Sequence, residues 1–137
     1  MAVVGPAGCG KTALLNVLSR RITGPSVSGE QFLAGCPFDD VTLRRLSTFI
    51  EHDGMIGSLT VHETLKYTAK LVLPRDINAQ ERGERVDEMM KTFELTPLKD
   101  TKIGRISAGQ KKRVVVACQL MALPKIVFMG SKTLPLY

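Results

Sequence analysis

Apolar positions along this chain recur mostly at helical spacing. Leu14, Leu15, Leu18 and Ile22 fall on one helix face, and Gly24-Pro25 supplies a stop. Val61, Leu65, Ala69 and Val72 define a second helix, opened by a capping box in which Thr60 is followed three residues later by Glu63, and closed by Pro74. The stretch from Asn78 to Glu94 is strongly charged, yet Val86, Met89, Met90 and Phe93 keep a single apolar stripe. It reads as an amphipathic helix whose methionines fill core and whose Arg82-to-Arg85 charges are a solvated face. Ser107 and Gln110 repeat the capping-box spacing and open a further helix with Val114, Ala117, Cys118 and Met121 on its buried side, before Pro124 stops it. Lys111 to Arg113 on that helix also read as a solvated face.

Strand signals alternate with these helices. Met1 to Val4 is a short β-prone run, and Thr48 to Glu51 is a second that would lie buried beside it. Lys125 to Met129 is a continuous apolar run of the kind buried on both faces of a parallel sheet. Between the first two runs, Gln31 to Ala34 is a strand candidate flanked by turns at residues 26–29 and at Gly35-Cys36-Pro37, and Thr42 to Leu46 has room for one helical turn. Lys99 to Arg105 is a polar connection. The order of elements predicts an α/β fold: a three-layer sandwich around a mostly parallel sheet, with ligands at the carboxyl ends of the strands.

Length and composition narrow the function classes. At 137 residues and 44% hydrophobic the chain reads as one domain able to build a core. No apolar run approaches a membrane span and no signal-type segment opens the chain, so it is expected to be soluble and cytoplasmic if expressed alone. The net charge of +6 suits an anionic ligand, but the basic residues are dispersed and there is no Trp and only two Tyr, which disfavours nucleic acid. Cys9, Cys36 and Cys118 have unrelated spacings, which argues against a disulfide framework or a zinc site and fits a reducing compartment.

The candidate chemistry sits at Gly5-Pro6-Ala7-Gly8-Cys9-Gly10-Lys11-Thr12, which matches G-x-x-x-x-G-K-[ST] between a β-prone and a helix-prone run. Its glycines let backbone N–H groups turn inward around phosphate, and the following helix aims its positive end at the same point. Lys11 would reach the outer phosphates and the Thr12 hydroxyl would help hold Mg²⁺. A thiol at a helix N-terminus tends toward a lowered pKa, although for Cys9 a simple filler role is the plainer reading. His62 reads as an exposed residue of a first helical turn.

With the loop followed in order by Glu51-His52-Asp53, by Leu59-Thr60-Val61-His62-Glu63-Thr64-Leu65, and by Ile106-Ser107-Ala108-Gly109-Gln110-Lys111-Lys112-Arg113, the chain resembles the nucleotide-binding domain of an ABC transporter. The detail is most similar to the G subfamily of white and pleiotropic-drug-resistance pumps. The resemblance implies a P-loop NTPase core over residues 1–137, from the phosphate loop to a degenerate Walker B strand, with ATP and Mg²⁺ as cofactors. It also implies a second nucleotide-binding domain as partner in a homo- or heterodimer, and a transmembrane domain that places this domain on the cytoplasmic side of a membrane. ATP would be sandwiched between the loop of one domain and the signature Ser107, Ala108, Gly109, Gln110 of the other. Ser107 would donate to the γ-phosphate, and Gly109 would allow close backbone approach.

Several positions depart from the family pattern. Ala108 replaces the first glycine of the signature, and a methyl is tolerable there only at negative φ. The glutamine that holds Mg²⁺ and the attacking water has no counterpart, its place falling on His52 or Glu51. Where Asp-Glu-Pro-Thr should follow the last strand the sequence reads Gly130-Ser131-Lys132-Thr133, so Gly130 stands for the metal-holding acid and Ser131 for the general base. A general base commonly supplies about 10² to 10⁴ in rate, which a serine cannot replace. Set against the family the core is incomplete: the upstream β-subdomain, with its adenine-stacking aromatic, and the elements downstream of Tyr137 are expected to be missing. The resemblance therefore implies a family reaction of ATP hydrolysis coupled to export, impaired here. The alternative is a catalytically inactive or regulatory fragment that dimerises with a complete nucleotide-binding domain.

Overall fold

The computed structural model describes residues 2–22, 27–50 and 54–130. Its contacts divide the chain into two compact units, residues 1–49 with 124–137 and residues 50–123.

In the first unit α1 (Lys11–Leu18) follows the glycine loop. It ends four residues before Ile22, because Arg20 turns into the left-handed region at φ 52°. The N–H of Arg20 then donates to Val17 O and that of Arg21 to Asn16 O, at 3.0 and 2.8 Å. This pair of bonds is the Schellman closure, usually built on glycine. Arg20 is held there by Asp40 at 2.5 Å and by stacking over the Phe38 ring at 4.4 Å. The Gly24-Pro25 stop lies outside the described residues.

A hairpin follows, β1 (Phe32–Leu33) against β2 (Cys36–Pro37). Its two-residue turn is Ala34-Gly35, both at positive φ (51° and 80°), so Cys36 and Pro37 belong to the strand and not to the turn. Next come α2 (Asp40–Leu46), capped by the Asp39 carboxylate on the Thr42 N–H, and β3 (Ser47–Ile50). β4 (Ile126–Met129) pairs with β3, and Phe128 stacks on Phe49 with centroids 6.3 Å apart.

Two strand expectations change. Residues 2–6 form no strand, and Val4 is 92% exposed. β4 is half-buried along Ile126 to Phe128 and exposed at Met129, where burial on both faces was expected. In both cases the determining quantity is cross-strand partners, and β-propensity counts only where a neighbouring strand accepts the ladder.

The second unit holds the core. α3 (Val61–Val72), α4 (Ala79–Thr92) and α5 (Ala108–Leu120) each begin with a capping box: Thr60 with Glu63, Asn78 with Glu81, and Ser107 with Gln110. Val61, Leu65 and Ala69 of α3 pack with Val86, Met89 and Met90 of α4 and with Val114, Ala117 and Met121 beside and beyond α5's inner face. Val72, expected on this face, is exposed in the last turn. Each large aliphatic side chain so removed from water contributes about 1.5–3 kcal/mol. Burial pushes the Cys118 thiol upward in pKa, with a Thr68 hydroxyl 3.5 Å away.

The polar connection from Lys99 to Arg105 is better ordered than its composition suggests. Ile103 is buried, and the N–H groups of Ile103 and Gly104 donate to Leu59 O and Gly57 O, both at 2.9 Å. A Cβ on Gly104 would lie 3.1 Å from the Gly57 carbonyl, so this crossing needs a residue without one. The Arg82-to-Arg85 stretch is not simply a solvated face. Arg85 donates to the carbonyls of Leu120 and Met121 and pairs with Glu88, while Arg82 Nη2 donates to Pro74 O.

Leu65 has no exposed surface while Leu71, on the same helix, is 85% exposed. Leu65→Ala is expected to cost about 2–5 kcal/mol and Leu71→Ala less than about 0.5, compared by urea denaturation. An acid limb is expected as well. Hydrogen bonds from the Thr60 N–H and hydroxyl hold the Glu63 carboxyl below its ordinary value of 4.5. Because the folded-state pKa is lowered, the cap's contribution is present above 4.5 and is lost as pH falls through the folded value. Glu63→Gln should flatten the fall in denaturation midpoint between about pH 6 and about pH 3.

Candidate functional site

The glycine loop takes its shape from two left-handed residues, Gly8 at φ 81° and Gly10 at φ 91°. Gly5 has no such φ, but a Cβ there would sit 2.8 Å from Cys9 Sγ, so any larger residue requires that thiol to rotate away. Pro6, Ala7 and Cys9 complete the turn, with the Cys9 N–H donating to Pro6 O at 3.4 Å. The whole loop is exposed. Lys11 folds back across it, its ammonium donating to the carbonyls of Gly5 and Pro6 at 2.6 Å each and lying 3.6 Å from Cys9 Sγ.

α1 differs from the other helices at its first turn. The residue before it is Gly10, and no side chain accepts from its leading N–H groups. The first N–H groups of a helix have no partner within it and carry the positive end of its dipole. Left uncapped and fronted by glycine, they are main-chain donors with no side-chain acceptor, the kind of group that anions take at helix N-termini. Thr12, one residue into this helix, presents an exposed hydroxyl. Among the described residues no group of three or more His, Cys, Asp and Glu gathers to hold a metal. The Thr12 hydroxyl fits Mg²⁺ only as one ligand beside phosphate oxygens and water, which is how this ion is usually held.

The Ser107-Ala108-Gly109-Gln110 stretch opens α5 in the second unit. Ser107 Oγ accepts from the Gln110 N–H at 3.2 Å, and Gln110 Oε1 accepts from the Ser107 N–H at 2.8 Å. The hydroxyl uses an acceptor lone pair for the cap and keeps its proton to donate outward. Ala108 is the first helical residue and has negative φ, so the methyl brings no strain. Gly109 is exposed, and a Cβ there would meet nothing within 4 Å.

Glu51 and His52, the alternatives for the glutamine position, lie outside the described residues, as does Ser131. Gly130 follows β4 directly and is half-buried. His62, expected to be exposed, is half-buried against a cavity that the sequence did not signal, because its lining comes from two helices and a connection far apart in the chain. No helix among the described residues is long and apolar enough to cross a membrane.

Comparison with known proteins places these features. The ABC transporter family profile matches residues 1–131. The chain is 40% identical to ABC transporter G family member 38 of Oryza sativa subsp. japonica and 38% identical to Pleiotropic drug resistance protein 1 of Nicotiana tabacum, each across 96% of its length. It is 34% identical to ABC transporter G family member 22 of Dictyostelium discoideum across 97%. It spans 9%, 10% and 23% of those three relatives. Among solved structures, cbiO1 from Clostridium perfringens, part of the ABC transporter complex cbiONQ, superposes with a TM-score of 0.79 at 28% identity, over 98% of this chain and 54% of that one. The mixed helix-and-strand architecture agrees with that α/β ATPase fold. The chain therefore belongs to the ABC transporter family, as part of an ATP-binding domain of the G-family type.

Proposed function

We propose that residues 5–12 bind the phosphates of Mg-ATP, and that the chain hydrolyses it weakly or not at all. The observation that carries the reading is the uncapped first turn of α1 behind Gly8 and Gly10, with Lys11 drawn over the loop. The leading N–H groups cradle the β- and γ-phosphates. Lys11 exchanges two carbonyl acceptors for a charged phosphate oxygen, replacing ion–dipole contacts with an ion pair. Thr12 supplies the protein's hydroxyl to Mg²⁺, which stabilises charge on the phosphates when bound.

Ser107, Gly109 and Gln110 serve a second nucleotide-binding domain rather than this chain's own nucleotide. The free proton on Ser107 and the open space at Gly109 support that role. Residues 1–137 thus act as a partial ATP-binding domain, paired with another such domain and with a transmembrane domain on the cytoplasmic side of a membrane. Gly130 and Ser131 support a second reading, in which the chain is a catalytically inactive partner to a complete domain. Neither side chain can carry the negative charge that holds hydrated Mg²⁺ or accept the proton of attacking water at neutral pH.

Equilibrium dialysis with labelled ATP tests the binding half. Lys11→Ala is expected to weaken binding at least about tenfold, since a charge-assisted contact of about 1.5–3 kcal/mol is lost; an unchanged affinity sinks the proposal. Phosphate release tests the other half. Turnover by the native chain should be near background, and Gly130→Asp combined with Ser131→Glu should raise it if the two positions are what limits it.

A further inference from the structure

α3 and α4 enclose, with the connection near Lys99, a cavity of about 360 Å³ in the size range of small-ligand sites. Its polar lining is His62, Lys66, Lys70, Arg82, Asp87 and Lys99, four permanent cations to one carboxylate. Lys66 and Lys70 stand four residues apart along one row of α3. Like charges at that spacing weaken an isolated helix. Among the described residues Lys66, Lys70 and Lys99 form no ion pair, whereas Arg20, Arg85 and Arg113 each have a carboxylate partner.

Two further observations concern the α4 wall. Arg82 Nη2 donates to Pro74 O at 3.0 Å, but its Nε is buried and meets no acceptor. A buried donor left unpaired is costly, and more so on a charged group. Gly83, one position on and also in the lining, lies inside the helix, where glycine is about 1 kcal/mol worse than alanine. A Cβ at Gly83 would meet nothing within 4 Å, so no packing contact in this chain calls for glycine. Ala69 and Val86 form the apolar back of the cavity and are buried, which lowers the local dielectric and strengthens attraction for an anion.

We propose that this cavity is a second anion site, independent of residues 5–12, for a small multiply phosphorylated ligand. The shared chemistry is a compact ring or chain bearing two or more phosphates, either free in solution or as the headgroup of a lipid. Lys66, Lys70, Lys99 and Arg82 supply the charge that lines the cavity with net positive potential.

The test uses the full chain carrying Lys11→Ala, so that the phosphate loop is silenced and the outcome does not depend on the ATP reading. Inositol trisphosphate is titrated by calorimetry at physiological salt, and phosphatidylcholine vesicles with and without phosphatidylinositol bisphosphate are tested by co-sedimentation. Saturable one-to-one binding is expected. It should fall at least about tenfold in Lys66→Gln, an exposed position whose change leaves the fold intact, and likewise in Arg82→Gln. Lys91→Gln, on α4 but outside the cavity, should bind as the parent does. Binding of the soluble probe assigns a free ligand, and binding of the doped vesicles alone assigns a lipid headgroup, provided Lys66→Gln abolishes either. No saturable binding to either probe, or equal binding by Lys66→Gln and Lys91→Gln, overturns the proposal.

Discussion

The first turn of a helix exposes N–H groups that nothing within the helix can satisfy, and this chain's function rests on how each helix meets that constraint. α2 uses Asp39; α3, α4 and α5 use capping boxes. α3 goes further, since the N–H groups of Val61 and His62 donate to Thr101 O and Lys99 O, tying its start to the connection that carries buried Ile103. Those helices close their own ends. α1 has Gly10 where the others have an oxygen, and its donors remain for a ligand. α5 is intermediate: its cap is complete, yet the Ser107 hydroxyl keeps a proton and Gly109 keeps a clear approach. One constraint is thus met by side-chain caps at α2, α3, α4 and α5 and by none at α1.

The C-termini of α1 and α4 show the opposite arrangement, with left-handed closures built on residues other than glycine. Arg20 and Glu94 take φ near 52° and 53°, and after α4 the Leu95 N–H reaches Met90 O at 2.8 Å just as Arg21 reaches Asn16 O. A side chain in that region costs about 1–2 kcal/mol. Arg20 offsets it with Asp40, Gln31 and Phe38, so the end of α1 is tied to the hairpin and α2 of its own unit. Glu94 offsets less, through an exposed pair with Arg113 that is worth little in water. Burial of Leu95 immediately after it is the larger gain.

These features explain which parts of the molecule were legible in the sequence. Capping boxes at Thr60 and Ser107 and the apolar rows of α3, α4 and α5 are local, fixed by residues three or four apart, and each element appears where its pattern stands. The glycine loop is equally local, since Gly8 and Gly10 need only their own φ. What depended on distant partners was not legible. The end of α1 lacks a glycine to mark it, and the run at residues 2–4 has β-propensity without a ladder. β4 is apolar throughout but covered only in part. Ile103 looked like loop because its burial comes from a crossing with Leu59 and Gly57, and the basic cavity joins residues 62 to 99 that no spacing rule connects.

Nucleotide binding and nucleotide hydrolysis draw on different parts of such a chain, and the two respond differently to substitution. The phosphate cradle is made of backbone N–H groups, which every residue but proline supplies, and of glycines whose φ is needed for shape alone. It therefore tolerates change at Pro6, Ala7 and Cys9, which contribute no side-chain donor to it. The chemistry relies on two carboxylates after β4, where this sequence has Gly130 and Ser131. Neutral groups there forgo both attraction for hydrated Mg²⁺ and a proton acceptor, whereas in the proposed complex the Lys11 ammonium would leave the Gly5 and Pro6 carbonyls for a phosphate oxygen. On the proposed reading, binding and turnover rest on different residues, so loss of the acids would remove turnover before it removes binding.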